Sequence, residues 1–268
     1  MNKMSMDQLQ RKPEDDFIAL CVAAARVSGG SLEREKSFSF TRGSLMSWYD
    51  KVFDFQSAHG AGDGKDLYAT AAAADLAREM ILRARKGEIP GNIFLRHGGE
   101  TEALEEPLIK AGYEVFYAQT GMVLDRSGLR LPDGEYSGIR RVDGDEDLKK
   151  WIACLDLSFD RKRDLVQYRN LMAAPEMSLW GLYDGSLMVS TILLFERGET
   201  AGIHLVSTHP EHRKKGHGAR LTAFAAERAF SRGAEQVVLL SSLMGEGVYA
   251  GLGFVPYGRV KHLRPRPL

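Results

Sequence analysis

Thirteen consecutive residues carry most of the chemistry this sequence could do: Thr208, His209, Pro210, Glu211, His212, Arg213, Lys214, Lys215, Gly216, His217, Gly218, Ala219 and Arg220. Two glycines at the start of a helix let the backbone come close to a ligand. The unbonded amides of the first helical turn, with the positive end of the helix dipole, then make a site for phosphate oxygens. Arg213, Lys214 and Lys215 add positive charge around it. A strand entering such a loop and a helix leaving it is the arrangement a pyrophosphate needs. Taken alone, the pattern RxxGxG equally describes a basic surface loop with a glycine helix start.

Four of the seven histidines, His204, His209, His212 and His217, fall within fourteen residues, which raises the question of a metal. They sit on a strand, a loop and a helix start with no CxxC partner and no HExxH spacing, so no metal is expected. His204 alone is a candidate general base, since a neutral imidazole can take the proton of an attacking ammonium group. Glu196, at the end of the preceding strand, competes for that role, and either residue could be an ordinary surface side chain. Cys21 and Cys154 lie in apolar stretches, FIALCVAAA and WIACLDL, and read as small core residues. No GxSxG elbow and no evident Cys and His pair supplies a nucleophile. The loop HGAGDGKD, from His59, is one residue short of a GxxxxGK phosphate loop and follows its lysine with Asp66, so it reads as a flexible loop.

The elements that must position these residues come from a chain of 268 residues, 44% hydrophobic and 27% charged, which suits a soluble globular protein of two domains. Lys plus Arg (36) balances Asp plus Glu (36), so no overall field draws the chain onto nucleic acid or an anionic membrane, and neither is an expected partner. The polar start and the lack of any apolar run near the roughly 18 residues of a spanning helix point to a cytoplasmic location. A helix from Asp15 to Val27 is followed, past the glycine loop, by a helix from about Leu67 to Arg85, a strand at Asn92 to Arg96, a helix at Thr101 to Ala111 and a strand at Tyr113 to Leu124. The polar, turn-rich stretch 127–136 reads as a linker between domains at 1–126 and 137–268. After it come a short strand, two helices, a hairpin turning at Asp184 and Gly185, a strand at Thr200 to Thr208, the loop, a long helix to about Arg232, and a closing strand, short helix and strand. The fold class is α/β (mixed α+β), a mixed sheet covered by helices. Strand, helix and AGYEVFYAQTGMVLD in the first half echo strand, helix and LGFVPYGRVKHLRP in the second, with Gly112 and Gly253 standing 141 residues apart. Two related domains explain this economically.

The run AGIHLVSTHPEHRKKGHGARLT, then a helix and a strand, then SSLMGEGVYAGLGF, resembles the GNAT superfamily of N-acetyltransferases. There an apolar strand ends just before a proline, RxxGxG follows at fixed distance, and a tyrosine stands four residues before a Gly-Phe pair. Here these are Pro210, Arg213 to Gly218, and Tyr249 with Gly253 and Phe254, and the likeness covers about Ser137 to Pro267. It implies two GNAT-like domains, each a mixed sheet flanked by helices, and acetyl-CoA as cosubstrate. By position, Val206, Ser207 and Thr208 would offer backbone groups of a splayed strand to the pantetheine arm, Arg213, Lys214, Lys215, Gly216, His217, Gly218 and Ala219 would bind the pyrophosphate, a backbone amide on the Val206 strand would polarise the thioester carbonyl, and Tyr249 would return a proton to the departing thiolate. Ser242 and Gly245 stand where many members carry Asn and Ala, so contacts at Ser242 are expected through its backbone.

The activity implied is transfer of an acetyl group to an amine of a small molecule or peptide by direct attack in a ternary complex. Its alternative is a non-catalytic acyl-CoA-binding or regulatory module. The first half looks like a worn copy: no RxxGxG precedes its helix, whose start LYATAAAADLA has no glycine, so one acyl-CoA site per chain is expected. That half would shape the acceptor cleft or a homodimer contact, and Phe159, Asp160, Tyr168 and Trp180 are the cleft candidates of the second half.

Overall fold

In chain order the computed structural model contains α1 (Pro13–Val27), β1 (Ser31–Arg34), β2 (Ser39–Arg42), β3 (Val52–Phe53), α2 (Ala71–Arg85), β4 (Ile93–Leu95), α3 (Glu105–Ala111), β5 (Tyr113–Asp125), β6 (Ile139–Arg141), α4 (Asp145–Phe159), α5 (Leu165–Met172), β7 (Met177–Asp184), β8 (Leu187–Arg197), β9 (Thr200–Thr208), α6 (His217–Ser231), β10 (Gln236–Ser241), α7 (Glu246–Gly251) and β11 (Val255–Pro265). It describes residues 12–43, 48–55, 71–98, 103–132, 136–159 and 162–267. The glycine loop from His59 and the expected helix start at Leu67 lie outside the described residues. Among the described residues no helix is long and apolar enough to cross a membrane.

The chain divides into unit 1, Met1–Phe17 with Gly121–Tyr257, and unit 2, Ile18–Thr120 with Gly258–Leu268. This differs from the division expected at 127–136. That stretch lies inside unit 1, where the Arg130 amide donates to the Leu252 carbonyl at 2.9 Å. Polarity marked it as a linker, but its turns are held by main-chain bonding, which composition does not register.

Unit 1 is ordered β10, β9, β8, β7, β6, with the end of β5 beside β10. β6 to β9 pair antiparallel, and β10 joins β9 in parallel. Met188 to Phe195 of β8 are all buried, as befits a central strand covered on both faces. On one face Leu221, Ala225, Ala226, Ala229 and Phe230 of α6, recurring at helical spacing, pack on Ile192, Leu194, Ala201 and Ile203. α4 opens on Asp145, Glu146 and Asp147, which suit the positive end of its dipole, and buries Leu148, Trp151, Ile152 and Leu155.

β9 has two irregularities. The ladder to β8 shifts between Thr191↔Ser207 and Leu193↔His204, leaving Leu205 and Val206 opposite Ile192 alone. Leu205 adopts φ 51°, and the extra residue makes a β-bulge. Because side chains alternate along a strand, the bulge reverses their sense: Ala201 and Ile203 face the α6 cluster before it, and Val206 faces that cluster after it. The parallel ladder with β10 ends at Leu239↔Ile203, although β9 runs to Thr208 and β10 to Ser241. The two strands therefore part company at the bulge.

Unit 2 has its own mixed order, β1, β2, β3, β4, then the later part of β11 and the first part of β5. β3 and β4 pair in parallel and the neighbouring pairs β1 with β2, β2 with β3 and β4 with β11 are antiparallel. Its core gathers Phe38, Phe40, Val52, Ile93 and Leu95 under Ala77, Met80 and Ile81 of α2. His262 is fully buried there, donating from Nε2 to Gln119 Oε1 at 3.0 Å and stacked on Trp48 at 5.0 Å. Burial, then the nearby Lys51 charge, hold its imidazole well below the ordinary 6.5.

Candidate active site

α6 starts without a side-chain cap. Gly216 occupies the N-cap with φ 76° and ψ 2°, a left-handed conformation glycine adopts at no steric cost, and a Cβ there would meet no atom within 4 Å. Two residues earlier Lys214 is left-handed too, at φ 62°. Left-handed residues on either side of Lys215 turn successive amides toward one concavity, the geometry of an anion nest, and the first amides of α6 extend it. Among the described residues only Asp54, Leu205 and Lys214 have positive φ without being glycine, and two of these three flank the loop and the bulge. Backbone strain of this kind collects where a ligand must be met. Gly218 lies close over the end of β9, where a Cβ would stand 3.3 Å from Thr208 Oγ1.

Arg213 has a different task from Lys214 and Lys215. Its Nε donates to the Thr208 carbonyl and its Nη2 to the Ser158 carbonyl, both at 3.3 Å, so it ties the loop to β9 and α4. Hydroxyls hold the bulged strand in the same way. Ser190 donates to the Ser207 carbonyl at 2.5 Å, Thr191 to the Leu205 carbonyl at 3.1 Å, and Ser158 to the Thr208 carbonyl at 3.1 Å. Ser207 Oγ in turn lies 2.7 Å from Thr191 Oγ1. Of the three strand residues expected to offer main chain, Ser207 and Thr208 thus already have engaged carbonyls, while Val206 lies outside the ladder to β8. Cys154, 4.0 Å from Ser207 Oγ, has its thiol pushed up by burial, only partly offset by that hydroxyl and the His209 amide, so it stays a neutral core residue.

Tyr249 stands on α7, one turn beyond β10. Its ring is half-buried against the core cluster and meets Phe254 edge-on at 5.9 Å. A Cβ on Gly245 would be 2.9 Å from Tyr249 Cε2 and 3.0 Å from Ser241 Oγ, so the ring lies over the turn that leaves β10. The Ser242 carbonyl closes this turn by accepting the Gly245 amide at 2.9 Å.

Residues 146–254 match the family model described as Acetyltransferase (GNAT) family. This stretch is a GNAT acetyltransferase domain. By that domain the chain is an N-acetyltransferase. No curated protein matches the chain. Among solved structures, a GCN5-related N-acetyltransferase from Kribbella flavida aligns over 94% of this chain and 96% of its own, with 18% identity and a TM-score of 0.63. One of the same description from Sphaerobacter thermophilus covers 95% and 94%, with 16% identity and a TM-score of 0.58. A functionally unknown conserved protein from Staphylococcus epidermidis covers 90% and 96%, with 12% identity and a TM-score of 0.60. At such identities the likeness is one of fold.

Within the acetyltransferase domain the two candidate bases differ sharply. Glu196 pairs with Arg232 at 2.7 Å beside the Gly198 turn, remote along the strand from the bulge. His204 immediately precedes the bulge and is nearly buried, with Nε2 at 2.8 Å from Asp16 Oδ2. Asp16 was not legible as a site residue, because it lies 188 positions away and is one of three acids that open α1. The hydroxyls of Ser158, Ser190 and Thr191 were missed for the same reason, having no spacing signature of their own.

The cleft candidates need correction. Trp180 is a core residue, packed on Phe224 of α6 at 5.0 Å and capped by the Arg228 guanidinium at 4.7 Å. Tyr168 is buried against Trp151. Both are large aromatics that the fold uses as core filling. Phe159 is half exposed under Arg163, and Asp160 lies outside the described residues. The loop histidines serve local contacts: His209 Nδ1 accepts the Glu211 amide at 3.3 Å and His212 faces Asp184 at 3.6 Å. Among the described residues no group of three or more His, Cys, Asp or Glu side chains could hold a metal ion.

Proposed function

We propose that the chain transfers an acetyl group from acetyl-CoA to the amine of a small molecule or peptide, by direct attack within a ternary complex. The observation that carries this reading is the juxtaposition of a glycine-capped amide nest at the start of α6 with a strand that bulges and parts from its neighbour just before it. The nest formed by Lys214 to Ala219 receives the pyrophosphate, with the charges of Lys214 and Lys215 beside it. The pantetheine arm runs in the gap that opens between β9 and β10, and the Val206 amide polarises the thioester carbonyl. Ser242 contributes backbone at the far side of that gap.

His204 takes one proton from the substrate ammonium, and the freed nitrogen lone pair forms the C–N bond at the thioester carbon. As the C–S bond breaks, the thiolate takes the Tyr249 hydroxyl proton and the new amide nitrogen loses its second proton. Overall the ammonium form and acetyl-CoA give the acetamide, CoA thiol and one released proton. No protein nucleophile is needed.

We also assign unit 2 the role of a worn second copy. Its sequence β3, α2, β4, α3, β5 parallels β9, α6, β10, α7, β11, both with a parallel first strand pair, and Gly112 (φ 113°) and Gly253 (φ 98°) stand at matching points. Calorimetric titration with acetyl-CoA is expected to give one site per chain, and two equivalent sites would refute this. Turnover is tested by following thiol release from acetyl-CoA over a panel of amines with a disulfide reagent, for which both buried cysteines are silent. Acceptor-dependent release is expected. Tight acetyl-CoA binding with no release across the panel would favour a non-catalytic acyl-CoA-binding or regulatory module.

A further inference from the structure

We infer that Asp16 is a positioning residue for His204, fixing the imidazole with its proton on Nε2 and its lone pair on Nδ1. This rests on the proposed role of His204 as base. The pair is built from two distant parts of the sequence. Asp16 lies in the first turn of α1, where the helix dipole favours a carboxylate, and its side chain is only 2% exposed. His204, 8% exposed, meets it at 2.8 Å from β9. Gly202 makes room: a Cβ there would collide with Asp16 Oδ2 and lie 2.5 Å from His204 Nε2. Any other residue at 202 would break the contact.

Burying a carboxylate against a ring nitrogen has a definite consequence for protons. An ionised carboxylate only accepts, so the nitrogen facing it must carry hydrogen, and in a neutral imidazole the other nitrogen then has the lone pair. Nδ1 is the nitrogen left for a substrate. Asp16 is the charged group meeting the ring, with Glu14 and Asp15 in the same turn of α1, and Phe195 approaches from β8 at 6.4 Å between ring centres. The ring is thus held on one side by a carboxylate and on another by an apolar surface. It stands directly before Leu205 and two positions before Val206, so the lone pair and the carbonyl-polarising amide are spaced by one bulge. When Nδ1 takes the ammonium proton, the imidazolium formed shares the buried carboxylate, and the proton leaves later to solvent from Nδ1 with no change at Asp16.

Long-range proton–nitrogen NMR of the 15N-histidine-labelled protein reads the tautomer directly, with the His204 signal assigned by its loss in His204→Gln. The Nε2–H form at neutral pH is expected, and the Nδ1–H form would overturn the inference without any Asp16 variant having to fold. In folded Asp16→Asn, kcat should fall about 10- to 100-fold while KM for acetyl-CoA stays within about twofold, as is typical when a group orienting a functional histidine is lost. The same spectrum of Asp16→Asn should show the Nε2–H preference of His204 lost, because the acceptor that fixed it is gone. A merely structural pair would leave both the tautomer and kcat of this variant unmoved, and this outcome also refutes the inference. Full turnover in His204→Gln would instead overturn the base assignment itself, and the two failures are told apart by which variant keeps its activity.

Discussion

Replacing Gly218 with valine separates a ligand site from a helix start. Gly218 is not among the residues with positive φ, so valine meets no backbone strain of its own. Its Cβ would approach Thr208 Oγ1 to 3.3 Å, and that hydroxyl, 3.2 Å from Ser190 Oγ, can rotate away for the loss of one hydrogen bond. One neutral hydrogen bond and a few tenths of an ångström of adjustment cost about 1–2 kcal/mol, less a few tenths for replacing glycine within a helix. For a unit of this size that lowers Tm by roughly 2–8 °C. The effect on CoA is larger if the nest is real. Two γ-methyls would occupy the space of oxygens bonded to the first amides of α6, and two charge-assisted hydrogen bonds lost at about 1.5–3 kcal/mol each weaken binding by roughly a hundredfold to ten-thousandfold. Calorimetric titration of CoA beside a thermal melt gives both numbers on one sample. A small drop in Tm with Kd changed less than threefold would show that the phosphates do not lie at this helix start.

Tyr249→Phe keeps the ring edge-on to Phe254 and removes only the hydroxyl, so Tm and CoA affinity should hold while kcat falls about 100- to 10,000-fold in steady-state thiol release. Normal turnover would make Tyr249 a packing residue. Glu196→Gln removes an exposed ion pair with Arg232, worth about 0–1 kcal/mol, and should leave kcat unchanged; a loss of rate would restore Glu196 as the base. Burial first, then the charges of Arg220, His212 and Lys215, hold the His217 imidazole below 6.5, against the pull of Asp184. Because the folded state favours the neutral ring, the stability this contributes is complete above pH 6.5 and is lost as the pH falls through that value. Urea midpoints of wild type and His217→Gln from pH 8 to 5 should therefore shift relative to each other below 6.5, and a constant difference would refute the assignment.

The sequence exposes whatever repeats at short range. β9 spans Thr200–Thr208 as expected, because glycine turns and the proline after it punctuate an apolar run, and α6 begins at the glycine pair that caps it. The hairpin between β7 and β8 follows from Asp184 and Gly185. What stayed hidden depends on distant partners. β1, β2 and β3 are four, four and two residues long, too short for an alternation to be seen. The bulge in β9 inserts a residue into a continuous apolar strand and leaves no mark in composition, although it decides which side chains face α6. Trp180 could not be read as core from its surroundings in sequence, because its neighbours in space, Phe224 and Arg228, come from a helix more than forty positions on. Asp16 reads as one acid in a solvated helix start until the fold sets it against Gly202.

The single extra residue at Leu205 and Val206 also governs how β9 can change over time. Upstream of it the strand engages α1 through a side chain, His204 on Asp16, whereas Val206 adds apolar packing on the α6 cluster, so the two answer to different substitutions: most replacements at His204 lose the Asp16 contact, while Val206 can be exchanged for another apolar residue of similar size. Chain length is a different matter. Deleting one of Leu205 and Val206 would leave a single residue opposite Ile192 and restore plain alternation, with Ser207 still opposite Thr191 and Thr208 still opposite Ser190, so the strand would lose its bulge and keep the facing of its side chains. The bulge and the identity of the side chains on either side of it can thus be varied separately, and a library of β9 can remove the bulge at fixed register on β8 while diversifying the two segments independently.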